Sequence, residues 1–218
     1  MTILRNIKQS HLFIVPHADD EVLGFGGVIS KLVDQGAKVK VFVMFDTQTA
    51  RSELQQVHAK DAKDVLGYTF LSLLKLSPDV NDRVLIKHIE TIIKSHDCHT
   101  LWSSGDTDLH QDHSKVFRAV CSAIRPSKGL VVPRFITGEI ISSTDQTVGS
   151  VRSQFISNYY VPLDDTHIQR KIDAMKCYPG EYSRLRDSEY IRAYAIKRGG
   201  EIAHPYAEAF MLQRTIVS

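Results

Sequence analysis

Hydrophobic positions near the start of the chain follow two different spacings. Residues 12–15 and 39–45 are short apolar runs, rich in β-branched side chains in the second case, and both are too short for helices. Between them, apolar residues recur at three- and four-residue steps from Val22 to Leu32, and Gly36 follows as a helix stop. This pattern predicts a strand, an amphipathic helix and a second strand in succession.

The same alternation continues for about 125 residues. The further predicted elements are a helix at 52–66, a strand at 68–73, a helix at 85–93, a strand at 100–102 and a helix at 116–124. Parallel neighbouring strands need a crossover that packs back over the sheet, and helices between strands supply it. We therefore expect an α/β, Rossmann-like fold with a mostly parallel sheet flanked by helices.

The rest of the chain is less regular. Residues 130–141 predict a strand with Pro133 as a point where it can kink, residues 168–175 and 191–195 have helical spacing, and residues 206–212 fit either a strand or a helix. The length of 218 residues is about one and a half typical domains. We expect a single domain over 1–218, with a core at about 10–141 and a C-terminal elaboration at about 142–218.

Composition and charge exclude several classes of partner. Hydrophobic residues make up 43% and charged residues 24%, which is typical of folded globular proteins. The 27 basic and 25 acidic residues leave a net charge of +2, and neither sign forms a block, so binding to nucleic acid is not expected. Apolar stretches are shorter than the roughly 20 residues that span a membrane.

The termini and cysteines point to a reducing compartment. Residues 1–11 lack the small-residue cleavage site of a signal peptide, so we expect a cytoplasmic protein. Cys98, Cys121 and Cys177 are odd in number and include no CxxC pair. They therefore predict neither a disulfide framework nor a cysteine zinc site.

Polar side chains cluster directly after two of the predicted strands. Residues 16–21 follow the first strand, and residues 106–113 follow the strand that contains Trp102. The aspartate and histidine residues of the two loops are His17, Asp19, Asp20, Asp106, Asp108, His110, Asp112 and His113. Ligands bind beyond the carboxyl ends of the strands in open parallel sheets, so both loops are placed to share one site.

Two interpretations of these loops compete. Each loop alone fits a helix cap, because acidic side chains stabilise a helix N-terminus. Two such loops at adjacent strand ends favour a metal site instead. His17, Asp20 and His113 fit a catalytic zinc, which takes three protein ligands and keeps one position open. Asp19 is offset toward the water, and His110 can flank the open side.

The motifs in these loops resemble the PIG-L/LmbE-like family of zinc-dependent N-deacetylases. The family signature His-Pro-Asp-Asp-Glu is similar to residues 17–21, and a glycine-rich helix start follows at 23–27. A second signature, Asp-x-His-x-Asp-His, is matched at 108–113, and a weaker likeness lies at 206–210. The resemblance spans nearly the whole chain.

The resemblance implies a role for each matched residue. It implies Zn²⁺, or another divalent metal, held by His17, Asp20 and His113, with Asp19 as general base and His110 as a polarising or proton-donating group. We also expect Asp112 to orient His110 through the other ring nitrogen. The implied partner is a small N-acetylated amino sugar, and assembly into a homo-oligomer stays open.

Two positions depart from the family pattern. Ala18 replaces the usual proline, which loosens the turn and removes no functional atom. The family commonly has an Arg-x-x-Glu pair in the next helix, where this chain has Gln55 and His58, and the nearby arginine is Arg51. Arg51 is therefore either a substrate-binding residue or a solvated helix residue.

Together these features predict a metal-dependent amidohydrolase that removes an acetyl group from an N-acetylated amino sugar or its conjugate. A non-haem iron oxygenase is an alternative, because two histidines and one carboxylate also bind iron. The α/β pattern and the extra acid Asp19 count against it. A metal- or sugar-binding module without catalysis is the other alternative, and the presence of both Asp19 and His110 argues against it.

Overall fold

The structure is a computed structural model that describes residues 9–46, 51–147 and 154–217. The strands in these ranges are β1 (Ser10–Val15), β2 (Lys38–Phe45), β3 (Phe70–Leu76), β4 (Thr100–Ser104), β5 (Arg134–Gly138), β6 (Tyr159–Leu163) and β7 (Tyr206–Thr215). The α-helices are α1 (Asp20–Asp34), α2 (Arg51–Leu66), α3 (Asp82–Ser95), α4 (Gln111–Ala123), α5 (Asp165–Lys176) and α6 (Ser188–Gly200). No helix in the described ranges has the length and apolar character of a membrane span.

One sheet contains all of these strands, in the order β3-β2-β1-β4-β5-β7-β6. Strands β1 to β5 run parallel, whereas β7 pairs antiparallel with both β5 and β6. The expected Rossmann-like, mostly parallel architecture is therefore confirmed. The chain steps outward from β1 to β3 on one side and from β4 on the other, so the carboxyl ends of β1 and β4 flank the crevice where the strand order reverses.

Alternation along β1 builds two hydrophobic layers. Phe13 and Val15 pack into one core with α1, α2, α5 and α6, whereas Leu12 and Ile14 pack into the other with α3 and α4. All six residues of β1 are buried, as a strand covered by helices on both faces requires. This rigid central strand fixes the position of the loop that follows it.

The C-terminal strands differ from the sequence-based expectation. The strand predicted at 130–141 is only five residues long, from Arg134 to Gly138. Pro133 has no N–H for the ladder, and the amide of Ile140 bonds instead to the Thr144 hydroxyl at 2.9 Å. Residues 206–212 belong to a strand, and the short strand β6 was not anticipated, because its five residues carry no clear period.

The glycine-rich start of α1 serves close packing. A Cβ on Gly27 would lie 2.4 Å from Leu163 Cδ1, and one on Gly24 would lie 2.5 Å from Ile140 Cδ1. Side chains at these positions would therefore push α1 away from the elements beside it. The same helix begins at Asp20, so the close packing of these glycines against neighbouring elements also positions the β1–α1 loop.

Candidate active site

The two polar loops meet at the crevice between β1 and β4. Strand β1 ends at Val15 and α1 begins at Asp20, while β4 ends at Ser104 and α4 begins at Gln111. Because β1 and β4 are paired neighbours, these loops lie side by side. They line a cavity of about 240 Å³ whose walls include His17, Asp19, Asp20, His110 and His113. The candidates from both motifs are thus brought together.

Two imidazole side chains converge on one carboxylate oxygen. Asp20 Oδ2 lies 3.3 Å from His17 Nδ1 and 3.3 Å from His113 Nε2. The same oxygen accepts the backbone N–H of His17 at 3.0 Å, which fixes the carboxylate in the tight turn before α1. Asp20 and His113 are each 3% exposed, so the cluster lies at the bottom of the cavity.

A second carboxylate stands behind each of the two imidazoles. Asp112 Oδ2 lies 2.8 Å from His17 Nε2, and Asp108 Oδ2 lies 2.9 Å from His113 Nδ1. Asp108 is itself held by the Thr144 hydroxyl at 2.8 Å. Metal-binding histidines characteristically have a carboxylate on the ring nitrogen that faces away from the metal, where it fixes the ring orientation.

Asp112 therefore contacts a different histidine from the one we expected. Its Oδ2 lies 4.0 Å from His110 Nδ1, well beyond its 2.8 Å contact with His17. The physical reason is the start of α4: residues two apart on a helical turn do not face each other. The sequence spacing suggested a local pair, but the fold directs the carboxylate across to the neighbouring loop.

The carboxylates of the cluster raise the pKa values of the two histidines. Burial alone would lower the pKa of both histidines, but Asp20 and Asp112 raise the pKa of His17 to about 9, and Asp20 and Asp108 raise that of His113 to about 10. Burial would raise the pKa of Asp20, but the two histidines hold it well below its usual value. Both shifts favour the protonated, positively charged imidazoles beside these carboxylates.

His110 sits at the mouth of the cavity as the N-cap of α4. Its Nδ1 accepts the backbone N–H of Asp112 at 3.3 Å. Partial burial and the neighbouring His113 and His17 lower its pKa, so the ring is neutral at neutral pH. A neutral ring that accepts at Nδ1 carries its proton on Nε2. His110 can therefore donate one hydrogen bond into the cavity.

The histidines also form a second candidate donor set. One ring nitrogen from each of His17, His110 and His113 lies within 4.8 Å of the others. The ring centroids of His110 and His113 are 4.9 Å apart and stacked. We favour Asp20 over His110 as the third ligand, because Asp20 is buried between the two other ligands whereas the His110 side chain is 51% exposed.

Asp19 does not cap α1, although it occupies the N-cap position. The structure gives its side chain no capping hydrogen bond to the helix. Its backbone has φ of +123°, a region that is unfavourable for residues other than glycine, so the surroundings must hold it there. Helix capping by Asp19 was the simpler interpretation of this motif. The structure contradicts that interpretation.

The fully buried Glu21 fastens this strained turn. Its Oε2 accepts the backbone N–H of Asp19 at 3.0 Å, and its Oε1 accepts the Tyr178 hydroxyl at 2.5 Å. Burial raises the pKa of Glu21 to about 7, although the hydrogen bond from Tyr178 opposes the shift. The third acid of the motif thus supports the backbone from below and does not face the cavity.

Arg186 is a residue of the cavity wall that the sequence analysis missed. Its Nη1 donates to Asp19 Oδ2 at 2.8 Å and to Glu181 Oε2 at 2.9 Å, and its Nε donates to Ser142 Oγ at 2.6 Å. Burial and the charge of Asp20 raise the pKa of Asp19, and Arg186 opposes that rise. No local motif marks Arg186, because the loop between α5 and α6 has no periodic pattern.

The choice between a substrate-binding and a solvated Arg51 stays a prediction. Arg51 is the first residue of α2, but its side chain lies outside the described part of the structure. Gln55, one turn later on the same helix, lines the cavity.

Comparison with known proteins adds a family and a fold. Residues 12–124 match the PIG-L family, described as GlcNAc-PI de-N-acetylase. That segment contains β1 to β4 and α1 to α4, and both polar loops lie within it. It excludes α5, α6 and the loop that carries Arg186.

Solved structures share the fold at low sequence identity. N,N'-diacetylchitobiose deacetylase from Pyrococcus horikoshii aligns with a TM-score of 0.77 and 18% identity, covering 96% of this chain and 86% of that one. A zinc-inhibited form of teicoplanin deacetylase aligns at 0.74 and 16%, covering 94% and 99%. A 4-carboxy-2-hydroxymuconate hydratase from Pseudomonas putida KT2440 aligns at 0.76 and 16%, covering 96% and 98%. The fold therefore accompanies more than one reaction.

Proposed function

The chain belongs to the GlcNAc-PI de-N-acetylase family, and we propose that it is a metal-dependent amidohydrolase that removes the acetyl group from an N-acetylated amino sugar or its conjugate. The observation that carries this proposal is the convergence of His17, Asp20 and His113 at the bottom of one cavity with Asp19 on its wall. Metal-ligand side chains and a separate carboxylate can together catalyse hydrolysis of an unactivated amide.

The donor set fits zinc. Two imidazoles and one carboxylate are a common ligand set of catalytic zinc sites, and each imidazole here has its own carboxylate, Asp112 for His17 and Asp108 for His113. Zinc held there would polarise the acetyl carbonyl and lower the pKa of a bound water to about 7. Without zinc, protonation of both histidines would place positive charge beside the same carboxylates.

Asp19 is the proposed general base. Its Oδ2 is engaged by Arg186 at 2.8 Å, which fixes the carboxylate plane and leaves Oδ1 to receive the proton of the attacking water. The same carboxylic acid then delivers that proton to the leaving amine. The strained backbone of Asp19 directs its side chain away from the capping position and toward this task.

His110 is the proposed partner of the developing oxyanion. Its neutral ring carries a proton on Nε2 and lies at the cavity mouth. A well-placed donor to a tetrahedral oxyanion contributes on the order of 3 to 4 kcal/mol of transition-state stabilisation. Arg186 is a positioning residue for Asp19 in this scheme, and the substrate acetamido group lies between Asp19 and His110.

The deciding experiment measures acetate. Zinc-loaded protein is incubated with a panel of N-acetylated amino sugars, nucleotide sugars and thiol conjugates, and free acetate and free amine are quantified by mass spectrometry. Equimolar acetate and amine, absent with the Asp19→Asn variant, are expected. A mass gain of one water without acetate would replace the proposal with a hydratase. Iron binding with oxygen uptake would replace it with an oxygenase, and substrate binding without turnover in the intact protein would leave a binding module.

A further inference from the structure

A second cavity opens beside the candidate active site. It has a volume of about 310 Å³ and lies between α2 and the segment that follows α5. Gln55 and Glu181 line both cavities, so the two spaces adjoin each other. The remaining lining residues of the second cavity are Leu54, His58, Tyr178, Pro179 and Gly180.

The walls of this cavity are mainly apolar and aromatic. Leu54 is 58% exposed on α2, and His58 follows it one turn later on the same face. The rings of His58 and Tyr178 meet edge to face with centroids 6.2 Å apart. Pro179 adds a rigid apolar surface from the other side.

The wall between the two cavities is held in place before any ligand binds. Glu181 accepts a hydrogen bond from Arg186, which also binds Asp19 in the first cavity. Tyr178 is fixed by the hydrogen bond of its hydroxyl to Glu21. A preformed apolar cavity that adjoins the reacting centre costs little ordering entropy when it is filled.

We propose that the second cavity binds the group attached to the amino sugar, and that this group is an apolar aglycone. The inference rests on the proposed function. The first cavity, at about 240 Å³, falls below the roughly 300 to 1,000 Å³ of typical small-molecule sites, so it holds the acetamido sugar and little else. The remainder of a conjugate then extends past Gln55 and Glu181 onto Leu54 and His58.

The test compares glycosides that differ only in the aglycone. The probes are the methyl and phenyl β-glycosides of N-acetylglucosamine and the β-1,4-linked disaccharide, with kcat/KM measured for each. We expect the phenyl glycoside to exceed the methyl glycoside by roughly 10-fold or more. Leu54→Asp should abolish that preference. Val57→Asp is the matched control, because Val57 is 52% exposed on the same helix and does not line the cavity.

The outcomes separate the two proposals. Acetate release with equal kcat/KM for methyl and phenyl glycosides, or an unchanged preference in Leu54→Asp, overturns the aglycone site and leaves the deacetylase. A preference for the disaccharide over the phenyl glycoside overturns the apolar class. If none of the probes releases acetate, calorimetry of phenyl glycoside binding decides: binding that Leu54→Asp weakens and Val57→Asp does not supports the cavity, and binding equal in all three proteins overturns it.

Discussion

Two polar clusters contact α1, one along its length and one at its N-terminus, and opposite charges balance only in the first. In the first, Lys171 Nζ donates to Glu208 Oε1 and to the carbonyl of Leu23, both at 2.7 Å. Glu208 accepts the backbone N–H groups of Gly27 at 2.9 Å and Val28 at 2.7 Å. One cation meets one anion, and the remaining polar atoms pair with the backbone of the helix. This cluster holds α1 against β7 and α5.

The candidate active site is built from the same residue types with a different balance. Asp20, Asp108 and Asp112 surround the two imidazoles of His17 and His113. Even with both rings protonated, three carboxylates face two positive charges. Charges in a protein interior are normally paired, so the excess of anions beside an open cavity supports the proposed binding of a cation.

The largest effect should come from removing the central carboxylate. Asp20→Ala deletes the oxygen that lies between His17 and His113, and we expect the zinc content to fall from about one per chain to near zero, with loss of activity. Elemental analysis of dialysed protein measures it. Asp106→Ala, an exposed aspartate of the adjoining loop, is the control and should keep its metal. Full zinc content in Asp20→Ala would assign the third ligand to His110.

Asp19→Asn separates the two adjacent aspartates. The amide keeps the shape of the side chain, and asparagine tolerates positive φ, so the fold and metal content should stay near wild type. The variant accepts no proton from water, and kcat should fall by roughly 100- to 10,000-fold. Acetate release, melting temperature and zinc content are measured together. Near-normal turnover would remove Asp19 from the mechanism, and loss of zinc would make it a ligand.

Lys171→Met tests the charge-balanced cluster of Lys171 and Glu208. Removing the cation leaves Glu208 buried without a charge partner, and the free energy of unfolding should fall by about 3 to 5 kcal/mol. Folded protein should keep its zinc, because no residue of this cluster is a ligand. Urea denaturation gives the loss. The double variant Lys171→Met with Glu208→Gln should recover part of it, and a loss below 1 kcal/mol would show that the pair is not the main fastening of α1.

His110→Ala examines the mouth of the cavity. We expect kcat to fall by roughly 100- to 1,000-fold while zinc content is retained, because an oxyanion donor is lost and the ligands remain. Steady-state kinetics and elemental analysis are run on the same preparation. His88→Ala is the control, on a helix of the opposite layer. Zinc loss on His110→Ala would favour the three-histidine set.

The parts of the fold that the sequence predicted are those in which local pattern and tertiary packing agree. From β1 to α4, buried strands such as β1 alternate with amphipathic helices such as α3, so spacing identified most elements, while composition indicated the helix at 52–66. Beyond residue 125 this agreement ends. Strand β6 lies at the sheet edge with half-buried positions and is held by pairing with β7, which no short window of sequence contains.

The candidate site also contains residues that the sequence could predict and residues that it could not. His17, Asp20 and His113 were predictable because each comes directly after a strand that the topology places beside the other. The contact between Asp112 and His17 was not predictable, since it depends on how α4 begins relative to the neighbouring loop. Arg186 lies 167 residues from Asp19 in the sequence and reaches it through a loop without periodicity.

The smallest effect concerns a buried histidine that pairs with no anion in the described part of the chain. His11 in β1 is 4% exposed, and its Nδ1 accepts the indole N–H of Trp102 at 3.2 Å, which requires a neutral ring. Burial, with the nearby charges of His99 and Arg134, lowers its pKa to about 4. As pH falls through 6.5, the unfolded chain takes up a proton that the folded protein refuses, so stability is lost between pH 6.5 and about 4.

The loss at His11 amounts to roughly 3 kcal/mol at the acid end, from a shift of two to three pKa units. His11→Gln is the matched variant, because its amide oxygen accepts from Trp102 and does not titrate. We expect the free energy of unfolding of the zinc-free wild type to fall more steeply than that of His11→Gln between pH 6.5 and 4, with parallel curves above pH 7. The histidines and acids of the candidate active site titrate in both proteins, so the difference between the curves belongs to His11. Parallel curves over the whole range would mean that the folded protein accommodates the protonated ring, and the contact with Trp102 would then add nothing to acid sensitivity.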